Sequence, residues 1–520
     1  MSVTDLPDQP HTIGRWLRDR ATRDGDRIAI DDRGVTISYR ALDARVNDLT
    51  AGLTAAGYGP GDRFATVSGN SIDHVVAFFA CARAGVAFAP LSWRLTPREL
   101  AAVIARTDAA LVLLEDEYEG LAEEALARMD RRPAAVMLGT TGIEARVPIR
   151  RGGPVTARPV RDDDPLLIIF TSGSEAAPKG VVLTHANCFW NNLALAGAVP
   201  LSADDVVLAM LPQFHIAAWN VQPLLAWSVG ATVVLERSFQ PRRVLQLIAE
   251  RKVTAMMGVP TQYRLLADDP LFAPAAVHTL RAAVVGGATM PPSLAQRWLD
   301  AGVPLAQGYG LTEAAPNVLA LRADEARHHP GAVGRPYPHV DVQIADPGTG
   351  LPLSGVATGE LWVRGPSVFA GYLDDDTATA RTMSGPWLRT GDIVHRDADG
   401  VFAVVDRMKD IFISGGENIA PAEVEQALCV HPLIAEAAVV GVPDPVWGER
   451  GVAFVVPAED ALLSEDEVLA HARTELAGFK VPVRAQIVTE LPRSSIEKIA
   501  RARLRDRAVA LIEEDARDPR

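Results

Sequence analysis

The feature that most constrains this chain is its rhythm. From Ile13 to about residue 165, and again after it, short apolar runs of strand length alternate with longer stretches of helical periodicity. Residues 40–57 space their apolar side chains as an amphipathic helix, 63–68 read as a strand, and 73–85 as another helix. Residues 143–164, rich in Arg, Gly, Pro and Asp, read as a surface connection into the buried strand 166–170. A second series follows, with strands expected at 206–211, 232–235, 255–259 and 282–285. Strands separated by helices cannot pair as hairpins, so they build parallel sheets with helices packed on the faces.

After Gly331 the texture changes to short alternating segments (340–344, 359–363, 393–396, 401–405) broken by Gly and Pro, as in a small β-rich subdomain. The last stretch returns to mixed structure: a helix over 421–430, strands over 435–442 and 452–456, and a helix over 464–476. The fold expected is therefore α/β, with a large N-terminal domain (1–408) of two α/β subdomains plus the β-rich one. A small α+β C-terminal domain (409–520) completes it. At 520 residues the chain is too long for one ordinary core, which agrees with this division.

Composition removes several function classes. A net charge of −14 with 48% hydrophobic residues describes an acidic globular protein, neither a disordered chain nor one that coats nucleic acid. Anionic ligands must then be met by local Lys and Arg. Cys81, Cys188 and Cys429 are scattered and form no CxxC pair, so neither a disulfide framework nor a zinc cluster is expected, and a reducing cytoplasm fits. No apolar run follows the first charges, and the strongest apolar stretches are too short to cross a bilayer, so no secretion signal or membrane span is expected.

Five segments carry polar chemistry. The first, Thr171-Ser172-Gly173-Ser174-Glu175-Ala176-Ala177-Pro178-Lys179-Gly180, follows an expected strand. Hydroxyls, glycine and a lysine suit a phosphate cradle, although an ordinary polar strand-to-helix turn has the same look. It is not a Walker loop, since Pro178 and Gly180 stand where that motif needs glycine and Ser or Thr. The second, 307–313, has glycines flanking Tyr309, with Thr312 as a phosphate donor and Glu313 as a hard oxygen ligand for Mg²⁺. The third is Thr390-Gly391-Asp392, whose carboxylate can take ribose hydroxyls or simply hold a turn. The fourth, 406–418, places Arg407 and Lys409 at the expected domain junction ahead of Gly415 and Gly416. The fifth, 491–498, is a loop ending at Lys498 before a basic helix over 499–507.

In this order the segments resemble the acyl- and aryl-CoA synthetase branch of the adenylate-forming superfamily, which includes luciferases and peptide-synthetase adenylation domains. Residues 211–215, 285–288, 359–365 and 442–449 extend the likeness over nearly the whole chain. The resemblance implies an acid:CoA ligase using ATP, Mg²⁺ and coenzyme A. Thr171, Ser172, Gly173, Ser174 and Lys179 would fold over the phosphates, and Gly287, Ala288, Gly308, Tyr309 and Gly310 would frame adenine and the acyl carboxylate. Thr312 would contact the α-phosphate, Glu313 bind Mg²⁺, Asp392 hold ribose, and Arg407 reach ribose or phosphate. His215, with Trp219, Asn220 and Asn317, would line the acyl pocket, together with the surroundings of Phe189 and Trp190. Lys498 would bridge substrate carboxylate and α-phosphate. Rotation of the C-terminal domain about Lys409 would withdraw it and bring Gly415 and Gly416 to the thiol channel. The implied partners are a small carboxylic acid and CoA, and a homodimer is among the assemblies the resemblance allows.

The chain departs from the family pattern at two loops, and Thr289 also stands where proline is common. The usual Thr-Thr-Gly of the phosphate loop is Ser174-Glu175-Ala176, and Glu497 stands where glycine normally precedes the lysine. Both loops govern the passage from adenylation to transfer. A carrier-protein thiol or an amine as acceptor, or another oxyanion such as nitrite in place of the carboxylate, therefore stands as the alternative.

Overall fold

The computed structural model describes all residues except 1–10, 140–145, 172–177, 289, 409, 415–416, 446, 460, 477, 494–498 and 518–520. The expectations for Ser172, Gly173, Ser174, Lys409, Gly415, Gly416 and Lys498 lie outside the described residues. The chain forms two compact units, Met1–Val342 with Val363–Leu388, and Gln343–Trp362 with Arg389–Arg520.

The first unit is built on two large sheets. One runs, edge to edge, Gly371–Tyr372, Lys179–Thr184, Pro165–Thr171, Ala87–Pro90, Arg63–Val67, Leu111–Leu114 and Ala134–Met137. Its last five strands pair in parallel, as the alternating pattern requires. Leu111–Leu114 and Ala87–Pro90 are buried at every position, which is why they appear in sequence as unbroken apolar runs. The intervening helices are punctuated by their own residues. Thr96 and Glu99 form a capping box ahead of Pro97–Thr107, and Ile72–Ala84 begins at Ser71 and stops at Gly85 with φ 73°.

The other sheet runs Arg335–Pro336, Asn317–Leu321, Leu305–Gly310, Ala282–Val285, Ala255–Gly258, Val206–Ala209, Thr232–Leu235, Ile28–Asp32 and Val35–Ser38. Its middle is parallel, and the strands expected from sequence sit there within a residue or two. Helices Pro241–Arg251, Pro260–Asp268 and Pro292–Asp300 cover one face, and Tyr263 and Trp298 are wholly buried beneath them.

The structure settles two local points. The polar segment after Phe170 does not lead into a helix. It joins two antiparallel strands, Pro165–Thr171 and Lys179–Thr184, with Thr171 opposite Lys179. Residues 307–310, left without an assigned element in the sequence, are strand: Tyr309 pairs across to Leu319 and Gly310 to Asn317. In both places the polar residues lie at a strand end, where one partner strand fixes them.

In the second unit, the long hairpin Ile434–Asp444 and Gly448–Pro457 carries two cores, one on each face. Ala437, Val439, Ala453 and Val455 face the helices Pro421–Leu428 and Glu465–Glu475, whereas Ala438, Val440, Val452 and Phe454 face Arg501–Arg517. This is the two-residue period of a sheet buried on both sides. Arg501 stitches the layers: its guanidinium donates to both oxygens of Glu425, at 2.6 and 3.0 Å, and to the carbonyl of Val439 at 2.8 Å. The final helix runs Arg501–Arg517, longer than the sequence suggested.

Candidate active site

Lys179 opens the strand Lys179–Thr184 and is half-buried. The two-residue strand Gly371–Tyr372 pairs beside it, with Tyr372 opposite Val181. This places the Tyr372 ring beneath the lysine, whose Nζ lies 5.4 Å from the ring centroid. The same phenol donates to Glu313 Oε1 at 2.8 Å. Burial first, then the Glu313 carboxylate, pushes the phenol well above its ordinary pKa, so it remains protonated and a donor. Lys179 and Glu313, singled out separately by sequence, thus meet on one side chain that sequence did not single out.

The loop bearing Thr312 and Glu313 is held tightly. Leu311 N–H donates to Pro316 O at 3.1 Å, and the short turn Thr312–Ala314 closes on Ala315 at φ 69°. Gly310 has no room for a side chain, because a Cβ there would lie 1.7 Å from Pro316 O. From the far side, Phe369 N–H donates to Glu313 O at 2.9 Å. Gly287 (φ 81°) and Ala288 follow the strand Ala282–Val285 and are exposed, leaving open backbone at the strand end beside half-buried Gly308 and Tyr309.

His215 sits half-buried in the turn after Val206–Ala209, its ring 4.4 Å from Phe214. The loop leading to it is anchored by buried polar contacts. Asn70 donates to Leu211 O and accepts from Gln213 N–H, and His74 Nδ1 lies 2.8 Å from Gln213 Oε1. Burial lowers the His74 pKa to about 4, so this histidine is neutral.

Trp219 and Asn220 are placed differently from the expectation that they line the acyl pocket. Both are 0% exposed. Trp219 stacks on Phe78 at 4.4 Å and donates its indole N–H to Gln213 O, which makes it core backing for the His215 loop. Asn220 joins Asn191, Asn192 and Asn317 in a buried amide knot. It donates to Ala315 O at 2.9 Å, and Asn191 accepts from Asn317 N–H at 3.0 Å. The knot ties the helix His185–Ala198 to the loop after Glu313. Phe189 and Trp190 lie on that helix, half-buried.

In the second unit, Asp392 and Arg407 stand directly opposite each other across the antiparallel strands Trp387–Arg396 and Phe402–Arg407. The Thr390–Asp392 segment is pinned by buried Glu360, which accepts from Gly391 N–H at 3.1 Å and also takes Trp362 Nε1 and Arg389. Glu360 is a second residue that sequence reasoning passed over. Its only signal was its place in the 359–365 motif.

The polar groups of the first unit suit a nucleoside triphosphate with a divalent cation. They comprise one ammonium, the Thr171 and Thr312 hydroxyls, a carboxylate with one oxygen taken by Tyr372, and open glycine backbone against which a planar base can lie.

Comparison with known proteins agrees with this chemistry. Residues 17–373 match the family described as AMP-binding enzyme, and residues 423–498 match the AMP-binding enzyme C-terminal domain. A feruloyl-CoA synthase from an Amycolatopsis species is 39% identical over 496 residues, covering 95% of this chain and 99% of that protein. An indoleacetate–CoA ligase from Aromatoleum aromaticum is 35% identical over 496 residues, covering 94% and 96%. Among solved structures, ATP-bound MatB from Rhodopseudomonas palustris superposes with a TM-score of 0.88 at 29% identity, covering 97% of this chain and 100% of that one.

Proposed function

The chain belongs to the family of AMP-binding enzymes, and from that premise we propose how its residues divide the work. It is an AMP-forming acid:CoA ligase: with ATP and Mg²⁺ it converts a carboxylic acid to an acyl-adenylate and pyrophosphate, then passes the acyl group to CoA. The observation that carries this reading is similarity to CoA ligases along 95% of the chain, through both family segments.

A carboxylate attacking phosphorus meets strong anionic repulsion, so the chain must supply positive charge along the line of attack. Lys179 faces the phosphates from the hairpin, Thr171 and Thr312 donate hydroxyl hydrogen bonds, and Lys498 bridges the carboxylate and α-phosphate. Mg²⁺, when bound at Glu313, would neutralise phosphate oxygens beside the departing pyrophosphate. Gly287, Ala288, Gly308, Tyr309 and Gly310 frame adenine and the acyl carboxylate, while Asp392 holds the ribose and Arg407 reaches ribose or phosphate. His215 stands between the carboxylate pocket and the incoming thiol, and Asn317 belongs to the acyl side of the site. Residues 409–520 turn about Lys409 between half-reactions, replacing Lys498 by Gly415 and Gly416.

For the acid, we propose an aryl-substituted alkanoate or acrylate, because the two relatives described above are named for ferulate and indoleacetate. A homodimer in a reducing cytoplasm accompanies this reading. Among the described residues no helix is long and apolar enough to cross a membrane. The test supplies ATP, Mg²⁺ and a panel of aryl and fatty acids, with and without CoA, and reads pyrophosphate and product mass. Aryl-CoA thioesters are expected at the highest kcat/KM. Fatty acids preferred tenfold would overturn the substrate class, and an AMP-linked product with no thioester would move the acceptor to a carrier thiol or an amine.

A further inference from the structure

Tyr372 belongs to none of the segments read for chemistry, yet it touches two residues that do belong to them. Its phenol donates to Glu313 Oε1 at 2.8 Å, and its ring face lies 5.4 Å from Lys179 Nζ. Both contacts follow from how the residue is mounted. Gly371–Tyr372 is an edge strand added to Lys179–Thr184, with Gly371 opposite Val182 and Tyr372 opposite Val181. The strand is braced by Thr379, whose hydroxyl accepts from Tyr372 N–H at 2.9 Å and donates to Asp375 O at 2.9 Å. Phe369, 5.0 Å from the Tyr372 ring in edge contact, donates its N–H to Glu313 O. The segment therefore holds Glu313 twice, once by backbone and once by side chain.

We propose that Tyr372 is a positioning residue for the metal carboxylate: by occupying Oε1 of Glu313 it fixes the rotamer and turns Oε2 outward as a single-oxygen ligand for the divalent cation. The inference rests on the reading that Glu313 binds that cation. A glutamate has three side-chain torsions and two equivalent oxygens, and an unrestrained one spends part of its time turned away or engaged with a nearby ammonium. Lys179 is such an ammonium. The phenol reaches both groups at once, offering the lysine a ring face and the carboxylate a hydroxyl. Holding ligands by the groups behind them is how proteins commonly tune metal affinity, and losing such a partner typically costs roughly tenfold in affinity.

The test is Mn²⁺ binding, followed by electron paramagnetic resonance, to the full chain saturated with a non-hydrolysable ATP analogue and without acid, so that nothing turns over. Tyr372→Phe keeps the ring and removes only the hydroxyl. It is expected to weaken Mn²⁺ binding about tenfold. Glu313→Gln should weaken Mn²⁺ at least as much, and adding Tyr372→Phe to it should weaken binding no further, because the phenol acts through the carboxylate. If Tyr372→Phe binds Mn²⁺ as the parent does while Glu313→Gln does not, the positioning role is wrong. If Glu313→Gln itself leaves binding unchanged, the metal assignment beneath it is wrong. Additive losses in the double variant would also overturn the proposal, since Tyr372 would then act elsewhere.

Discussion

At the scale of single residues, the account turns on charge. On the proposed reading Lys179 meets phosphates whose negative charge shifts as pyrophosphate leaves, so Lys179→Ala is expected to slow adenylation about a hundredfold, or ~3 kcal/mol. Pyrophosphate release under saturating ATP reads it directly. Two histidines report on the fold instead. His74 and His185 are fully buried, and desolvation lowers each from 6.5 to about 4. A depressed histidine pKa means that the folded state prefers the neutral ring. The stability is complete above pH 6.5 and is lost as pH falls toward 4, by about 3 kcal/mol per histidine. Urea midpoints measured from pH 7 to pH 4 should fall through that window, and His74→Asn should flatten part of the fall. Lys179 and Glu313 were legible in sequence because ammonium and carboxylate types announce their chemistry. Tyr372 and Glu360 were not, because their roles are contacts spanning 59 and 31 residues of chain.

At the scale of elements, the parallel strands were legible because a strand buried on both faces must be apolar at every position, as Leu111–Leu114 is. Pairing direction was not. An unbroken run such as 166–170 is equally suited to a parallel or an antiparallel neighbour, and only the folded sheet sets Lys179–Thr184 against it. Burial was also misjudged at Trp219, since a bulky aromatic near a pocket motif reads the same whether it lines the pocket or backs it. The loop after Leu305–Gly310 offers the sharpest element-level prediction. Gly310→Ala forces a Cβ against the Pro316 carbonyl, which belongs to backbone and cannot move aside cheaply. Adenylation should drop at least tenfold, with Thr312 and Glu313 displaced, and near-native urea resistance would separate this from global unfolding.

At the scale of the whole molecule, the chain must neutralise charge in one half-reaction and admit a thiol in the next. On the proposed division of labour, a rotation of residues 409–520 that withdraws Lys498 would do both. Lys498→Ala is therefore expected to suppress adenylation by two orders of magnitude or more while sparing thioester formation from preformed acyl-adenylate. Equal loss in both, measured by separate half-reaction assays, would contradict the division of labour. The order of the five segments made the two-step chemistry legible. The identity of the acid was not, because the shape of a pocket is assembled from side chains distant in sequence that only folding brings together.

Acyl-adenylate formation requires that a carboxylate oxygen attack the α-phosphorus of ATP. The most direct measurement starts from an accepted acid labelled with ¹⁸O in both carboxylate oxygens, reacted with ATP and CoA in unlabelled water, followed by mass spectrometry of every phosphorus product. One ¹⁸O is expected in AMP for each thioester formed and none in pyrophosphate. Label in inorganic phosphate alongside ADP, or AMP free of label, would contradict this route.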